Sequence, residues 1–191
     1  MKEIKLTEKI SNTVTSETTS DAQKTAPKEE RNLSGDIEWS GGVSGALNSF
    51  QNAPFTQVLL VFGNKNASGK NIFFGVGAGY GFTFLATQTA HSLPVFLRIQ
   101  SPFLKTRTSP FLGFDAGYTF GLSSAIGGGP MVKLSAGVVH KLSYKSDFYA
   151  GFVGGLASIT TSITEKNEFG TFTYTGPTTM TNLGLKLGFH F

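Results

Sequence analysis

The chain has 191 residues and a formal net charge of +4; 39% of the residues are hydrophobic and only 15% are charged. A soluble domain usually carries charge on about a quarter of its residues, and no stretch reaches the ~18 continuous apolar residues that a membrane-spanning helix needs. With 24 glycines, 18 phenylalanines and no cysteine, the composition argues against an ordinary soluble domain, a helical membrane protein, a disulfide scaffold and a thiolate metal site.

The first 35 residues differ in composition from the rest of the chain. They are rich in Ser, Thr, Lys and Glu and contain no aromatic residue. Such a segment cannot bury enough apolar surface to offset the entropy lost on ordering, so residues 1–35 are predicted to form a disordered polar tail. In a second interpretation, the stretch from Lys2 to Val14, which has four aliphatic residues, folds on a partner protein.

The start of the chain has no visible secretory signal. Residues 1–6 lead into polar sequence without the apolar core that such a signal requires. An export signal is therefore expected to have been removed, replaced or placed upstream.

From Asp36 onward, apolar residues alternate with glycine or polar residues, which predicts β-strands with one apolar face. The strand from 54 to 63 is the least regular, because Val58 to Phe62 are apolar on both faces. The glycines between Gly75 and Gly81 superficially resemble a phosphate-binding loop, but no helix follows, and strand glycines account for them. Seven strands are predicted before the last one, at 36–47, 54–63, 70–85, 93–101, 109–121, 131–144 and 147–161.

The last predicted strand, 182–191, has the clearest alternation. Its apolar positions are Leu183, Leu185, Leu187, Phe189 and Phe191, and its other positions are Asn182, Gly184, Lys186, Gly188 and His190. Since the strand glycines lie opposite the apolar residues, the pattern predicts an all-β, eight-stranded antiparallel up-and-down transmembrane β-barrel over 36–191, apolar outside and small or polar inside. The barrel must close, because an open sheet edge cannot stay unpaired in hydrocarbon. Inward glycines are expected because large side chains in so narrow a barrel must face small ones.

The predicted connections alternate in length. Short turns are expected at 64–69, at 101–108 and at Lys145 to Asp147, and the longest loop is expected from Ile163 to Thr179. Outer-membrane barrels keep their short turns on the periplasmic side. An even number of strands then places both termini, and the tail, in the periplasm.

Three segments support a resemblance to a known family: 93–98 (LPVFLR), 109–118 (SPFLGFDAGY) and 184–191 (GLKLGFHF). Together they resemble the small outer-membrane β-barrel proteins of Bacteroidetes-type bacteria, which are similar in architecture to OmpX and the OmpA transmembrane domain. The resemblance covers about residues 37–191 and implies outer-membrane location, contact with its lipids and no particular activity. It also implies that Phe189 and Phe191 form the C-terminal signal read by the barrel assembly machinery.

Charged residues within the predicted strands fall on the glycine face and so point into the lumen. These are Glu38, Arg98, Asp115, Lys133, Lys141 and Lys186, with His190 near the periplasmic end. Arg98 and Asp115 are expected to form a diagonal pair on neighbouring strands, and Glu38 is expected to lie near Lys186 or His190. The favoured interpretation is a salt-bridge network that fills the lumen. The alternative is a narrow, cation-repelling pore, since the segment from Ile37 to the C-terminus has ten basic and five acidic residues.

Catalysis at the membrane rim would need a histidine within reach of a serine and an acid. His91 is predicted to lie in a loop beside Ser92 without a nearby acid, and His140 is predicted to face lipid near the lower interface. His190 lies at the wrong end for chemistry on outer-leaflet lipid. No catalytic residue, metal site or cofactor is therefore predicted.

The basic residues of the predicted turns are expected to contact lipid phosphates rather than nucleic acid. They are Lys65, Lys70, Lys105, Arg107 and Lys145.

The sequence thus favours a non-enzymatic structural protein or accessory subunit of a larger outer-membrane complex, contacting a partner through residues 1–35. A narrow channel for small solutes is the alternative, and a lipid-modifying enzyme at the rim is the third hypothesis.

Overall fold

The described residues form a closed antiparallel β-barrel. The computed structural model describes residues 33–46, 52–65, 72–85, 89–123, 126–143, 146–167 and 170–191. The eight strands in these ranges are β1 Leu33–Ala46, β2 Asn52–Lys65, β3 Phe73–Phe84, β4 Thr89–Pro102, β5 Thr108–Gly121, β6 Gly129–Lys141, β7 Asp147–Asn167 and β8 Gly170–His190. Each strand pairs with its neighbours in sequence and β1 pairs with β8, so the sheet has no open end. The predicted eight-stranded up-and-down barrel is confirmed.

The apolar positions of the strands face outward. Leu183 and Phe152 are each 68% exposed, and Trp39, Phe62 and Leu134 are also exposed. The alternate positions face the lumen and are buried, so the barrel reverses the usual distribution of polar and apolar residues. The described residues contain no helix long and apolar enough to cross a lipid bilayer.

Glycines make room for the large side chains in the lumen. Phe96 on β4 lies between Gly77 on β3 and Gly117 on β5, and Tyr149 on β7 lies opposite Gly188 on β8. A Cβ atom on Gly77 or on Gly188 would collide with the facing aromatic ring. Phe96 and Tyr149 therefore each depend on a glycine of a neighbouring strand.

The first and last strands close the barrel. The amide of Gly35 donates to the carbonyl of Phe191 at 2.8 Å, and the amide of Phe191 donates to the carbonyl of Gly35 at 2.9 Å. β1 therefore begins at Leu33, and residues 33–35, which composition assigned to the tail, belong to the strand. Residues 1–32, including the stretch from Lys2 to Val14, lie outside the described residues.

The longest loop predicted from the sequence, Ile163 to Thr179, is wrong. β7 and β8 pair continuously as far as Asn167 and Gly170, whereas β6 stops pairing with β7 at Ala157. The hairpin thus continues for ten residues per strand past the last β6–β7 pair, or about 30 Å. This segment is rich in Thr, which favours strands, but it lacks the alternation on which the strand prediction relied.

The start of β1 and the C-terminus lie at one end of the barrel, called here the terminal end; the opposite end is called the distal end. The predicted short turns between β4 and β5 and between β6 and β7 lie at the terminal end, over residues 103–107 and 142–146. Asn64 and Lys65 belong to β2 rather than to a turn. Lys70, Tyr144 and Lys145 lie outside the described residues.

The fit of Phe96 against Gly77 predicts that added volume is tolerated outside the barrel and not inside. Gly77→Leu should lower the free energy of unfolding by about 1–3 kcal/mol, because the Phe96 ring must leave its position. Ala78→Leu, which adds a larger side chain at the next, outward position, should change it by less than about 0.5 kcal/mol. Urea unfolding in phospholipid vesicles would measure both, and equal losses would contradict the steric role of Gly77.

Candidate functional site

The centre of the lumen contains a buried arginine–carboxylate pair. Arg98 on β4 lies directly opposite Asp115 on β5. The Nε and Nη2 atoms of Arg98 each donate to one carboxylate oxygen of Asp115, both at 2.8 Å. The sequence predicted the pair as diagonal neighbours; the register makes them direct neighbours, which allows this two-point geometry.

Glu38 connects this pair to the opposite wall. Its Oε2 atom accepts hydrogen bonds from Arg98 Nη1 at 2.6 Å, from Lys186 Nζ at 2.9 Å and from the Tyr149 hydroxyl at 2.9 Å. Arg98 is 0% exposed, Lys186 1% and Glu38 2%. These contacts bridge β1, β4, β7 and β8 across the lumen. Glu38, Arg98, Asp115, Tyr149 and Lys186 are called here the lumen network.

Asp36 is a further carboxylate of the lumen that the sequence analysis did not assign to it. It bonds to Nδ1 of His190 and lies 3.9 Å from Nη1 of Arg98. Asp36 is two residues before Glu38 and therefore on the same face of β1, a signal that was hidden because composition placed Asp36 at the edge of the tail. The buried carboxylates Asp36, Glu38 and Asp115 balance the buried Arg98, Lys133 and Lys186. The excess of positive charge that suggested a cation-repelling pore is therefore not found in this layer.

Lys133 is the buried cation of this layer with no carboxylate partner. Its ammonium donates to Oε1 of Gln57 at 2.9 Å, and Nε2 of Gln57 donates to Oγ of Ser40 at 2.6 Å. Among the described residues no carboxylate lies within ion-pair distance of Lys133. Asp115 is its direct neighbour in register, but both oxygens of Asp115 are bonded to Arg98.

The predicted site residue Lys141 lies at the terminal end, away from the lumen network. It lines a cavity of about 50 Å³ together with Lys65, Asp147 and His190. Lys65 forms an ion pair with Asp147. Neither residue was predicted as part of the lumen, because both were assigned to turns.

The lumen network separates two cavities. The second cavity, of about 70 Å³, lies toward the distal end, and the two cavities share no lining residue. Aromatic rings thicken the partition between them, since Lys186 Nζ lies 5.5 Å from the ring centre of Phe111 and 5.1 Å from that of Tyr149. The partition therefore consists of ion pairs packed against aromatic rings.

The histidines on the outer wall are bonded to hydroxyl groups. The Nδ1 atom of His91 lies 2.9 Å from the Tyr80 hydroxyl, and Nδ1 of His140 lies 2.7 Å from Oγ1 of Thr108. The predicted loop position of His91 is wrong, because β4 begins at Thr89. Alternation along β4 puts Ser92 on the opposite face, so it cannot act with His91. In the part of the chain that the structure describes, neither histidine is bonded to a carboxylate, and no cluster could hold a metal ion.

The two C-terminal phenylalanines lie on the outer wall. Phe189 and Phe191 are both exposed, and their ring centres are 6.4 Å apart in a stacked arrangement. The ring of Phe191 also lies against Gly35, where a Cβ atom would be 2.9 Å from it. The side chains of the predicted assembly signal are therefore free of the lumen.

Comparison with known proteins identifies a fold and no family. No protein-family model and no curated protein sequence matches the chain. Among solved structures, the chain is similar to the crystal structure of Neisserial surface protein A, with a TM-score of 0.53 and 9% identity over 82% of this chain and 96% of that one. It is also similar to the solid-state NMR structure of the outer membrane protein AlkL in DMPC lipid bilayers, with a TM-score of 0.42 and 14% identity over 83% and 89%. The chain thus has the closed eight-stranded fold of outer-membrane barrel proteins.

The lumen network predicts that the barrel loses much of its stability when Arg98, the central cation, is removed. Arg98→Met should lower the free energy of unfolding by about 3–5 kcal/mol, because Asp115 is left buried without its ion-pair partner and Glu38 loses one of its two cations. Lys141→Met, which removes a half-buried lysine at the terminal end, should cost less than about 1 kcal/mol. Urea unfolding in vesicles would compare the two.

A double-mutant cycle tests whether the loss of stability comes from the interaction between Arg98 and Asp115. Asp115→Asn should cost less in the Arg98→Met background than in the wild-type protein, with a coupling of about 1–3 kcal/mol. Strict additivity would show that Arg98 and Asp115 act independently.

Proposed function

We propose that this protein is a non-enzymatic outer-membrane β-barrel whose lumen is sealed, and that it serves as a structural or accessory component of the membrane. The observation that carries the proposal is the lumen network. Arg98 links β4 to β5 and, through Glu38, to β1, while Lys186 and Tyr149 add β8 and β7. A barrel cross-linked in this way has a fixed register and a filled cross-section.

The height of the apolar surface supports an outer-membrane location. On β3, outward residues run from Phe74 to Phe84, which is about 33 Å along the strand and about 25 Å along the barrel axis at a tilt of about 40°. The apolar band of an outer-membrane barrel has this height. Aromatic residues lie at both ends of the band, with Tyr80, Phe84 and Phe120 toward the distal end and Phe148 and Phe189 toward the terminal end.

Two assignments follow from this location. The exposed Phe189 and Phe191 are proposed to be read by the barrel assembly machinery, and Arg107 and Lys105 at the terminal end are proposed to contact lipid phosphates. A kinship with the small barrels of Bacteroidetes-type bacteria stays a prediction from the sequence.

The outer wall supports a non-enzymatic role. His91 and His140 are bonded to the hydroxyl groups of Tyr80 and Thr108, whereas a general base of the Ser–His–Asp kind is oriented by a carboxylate. Among the described residues no carboxylate is placed to orient His91 or His140, and His190, which is bonded to Asp36, lies buried in the lumen. The ends of the barrel and the N-terminal segment are then the surfaces through which the protein would act.

A sealed lumen predicts no steady ion conductance. The wild-type protein in a planar bilayer should show none, whereas a variant with alanine at Glu38, Arg98, Asp115 and Lys186 should conduct, because two cations and two anions are removed together from the lumen. Replacing Lys65 and Asp147 by alanine, a balanced pair at the terminal end, should leave the barrel closed.

A channel would behave differently in the same experiment. A conducting wild-type protein whose ion preference changes in Lys133→Glu and Lys186→Glu would establish the pore and overturn the sealed lumen. A quadruple variant that stays closed would show that the lumen network does not seal the barrel.

The accessory role predicts a larger native complex that depends on the N-terminal segment. Protein extracted from outer membranes in mild detergent should migrate with a larger barrel or lipoprotein, and this should be lost when residues 2–32 are deleted. The deletion ends before Leu33, because β1 begins there. A lone species of 20.4 kDa from the full chain would contradict the accessory role.

Replacing residues 2–32 with a Gly/Ser linker of equal length is the control. A complex that persists in this variant would show that the sequence of the segment does not make the contact.

A further inference from the structure

The distal cavity is a cup inside the barrel with apolar and polar residues in its wall. It has a volume of about 70 Å³ and lies on the distal side of the lumen network. Part of its wall belongs to one cluster of buried hydrophobic residues. The wall includes Phe55, Ala90, Ile126, Met131, Ala157 and Ile159.

Polar residues also line this cup, and Lys133 is the charged one among the described residues. Lys133 and Gln57 both line the cavity, and Lys133 is only 7% exposed. A lysine ammonium has three donors, and the described residues supply one acceptor, Oε1 of Gln57 at 2.9 Å. Two donors of a buried cation thus have no acceptor among the described residues, beside a cavity whose wall includes Met131 and Ala157.

The carboxylates of the lumen do not satisfy these donors. Asp115 is bonded to Arg98 through both oxygens, Glu38 is bonded to Arg98, Lys186 and Tyr149, and Asp36 is bonded to His190. A buried charge is costly unless it is paired and hydrogen-bonded. The site therefore favours an anion from outside the chain, and its apolar wall favours one that carries hydrocarbon.

We propose that the distal cavity binds a small monocarboxylate with a short alkyl chain, the carboxylate bonded to Lys133 and the alkyl chain packed against Met131 and Ala157. The volume suits such a ligand, because a site of about 70 Å³ has room for about five water-sized groups, close to the six heavy atoms of a four-carbon carboxylate. The proposal does not depend on a sealed lumen or on an accessory role, since the cavity lies entirely on the distal side of the lumen network.

Binding of the carboxylate can be measured at the methionines of the chain. Of the three methionines, Met131 and Met180 line the cavity and Met1 begins the chain. Protein with ¹³C-methyl methionine, folded in lipid nanodiscs, is titrated with butyrate while the methyl resonances are recorded. The Met131 and Met180 signals should shift and saturate, and the Met1 signal should not move.

The affinities of related ligands distinguish the proposed site from a site that binds any small anion. Each methylene should strengthen binding about fourfold, so butyrate should bind more than tenfold more tightly than acetate. Butyramide, which has the same shape without the charge, should bind at least tenfold more weakly than butyrate. Equal affinities for acetate and butyrate, or for butyrate and butyramide, would overturn the proposal, as would the absence of saturable shifts.

Two variants and a matched control test the residues. Lys133→Leu should weaken butyrate binding at least tenfold, whereas Lys141→Leu, the same change at an inward lysine of the terminal end, should leave it unchanged. Ala157→Leu keeps the charge and fills the cavity, and it should also abolish binding. Wild-type affinity in Lys133→Leu or in Ala157→Leu would overturn the proposal. Because the Ala157 variant leaves the polar residues intact, the test remains decisive even if Lys133→Leu does not fold.

Discussion

The width of an eight-stranded barrel is the constraint on which the rest of the structure depends. The lumen is just wide enough for side chains to fill, so a large residue on one strand requires a small one beside it. Phe96 is flanked by Gly77 and Gly117, and Glu38 and Tyr149 both face Gly188. These glycines place the charged groups close enough to bond across the lumen. A wider barrel with the same residues would leave Arg98 and Glu38 separated by water.

The lumen network has an electrostatic consequence for folding. Arg98 bonds to Asp115, its neighbour in register, but Glu38 lies three strands away and 60 residues apart in sequence. A shift of one residue in any strand would send its charged groups to the outer wall, where a charge facing hydrocarbon is costly. Breaking the pairing within the lumen would leave a buried charge without a partner. The network therefore opposes incorrect registers more than it adds net stability.

The sequence predicted the fold where the alternation was strict, and it missed features where another signal was needed. The C-terminal strand and the glycine-rich β3 were recognisable because each position has a clear inward or outward preference. The β7–β8 extension was taken for a loop because its Thr-rich sequence has strand propensity without an apolar face. Asp36 was missed because it was grouped with the acidic residues of the N-terminal segment, although the first predicted strand begins at this residue. Burial of Arg98, Glu38 and Lys186 follows from periodicity, and closure of the barrel predicted that Glu38 lies near Lys186. The bond from Arg98 to Glu38, three strands away, is specified by no local pattern.

The two halves of the lumen differ in the charged and apolar residues that line them. Toward the terminal end, Lys65, Lys141, Asp147 and His190 line a charged mouth; toward the distal end, the buried apolar cluster leaves Lys133 as the single charged residue of the wall that the structure describes. Lys133 is the cation of this layer whose ammonium faces a cavity and has no carboxylate within ion-pair distance among the described residues. Burying a cation without a carboxylate partner is costly for stability. An anionic ligand offsets that cost, which makes the distal half of the lumen the part of this barrel most suited to recognition.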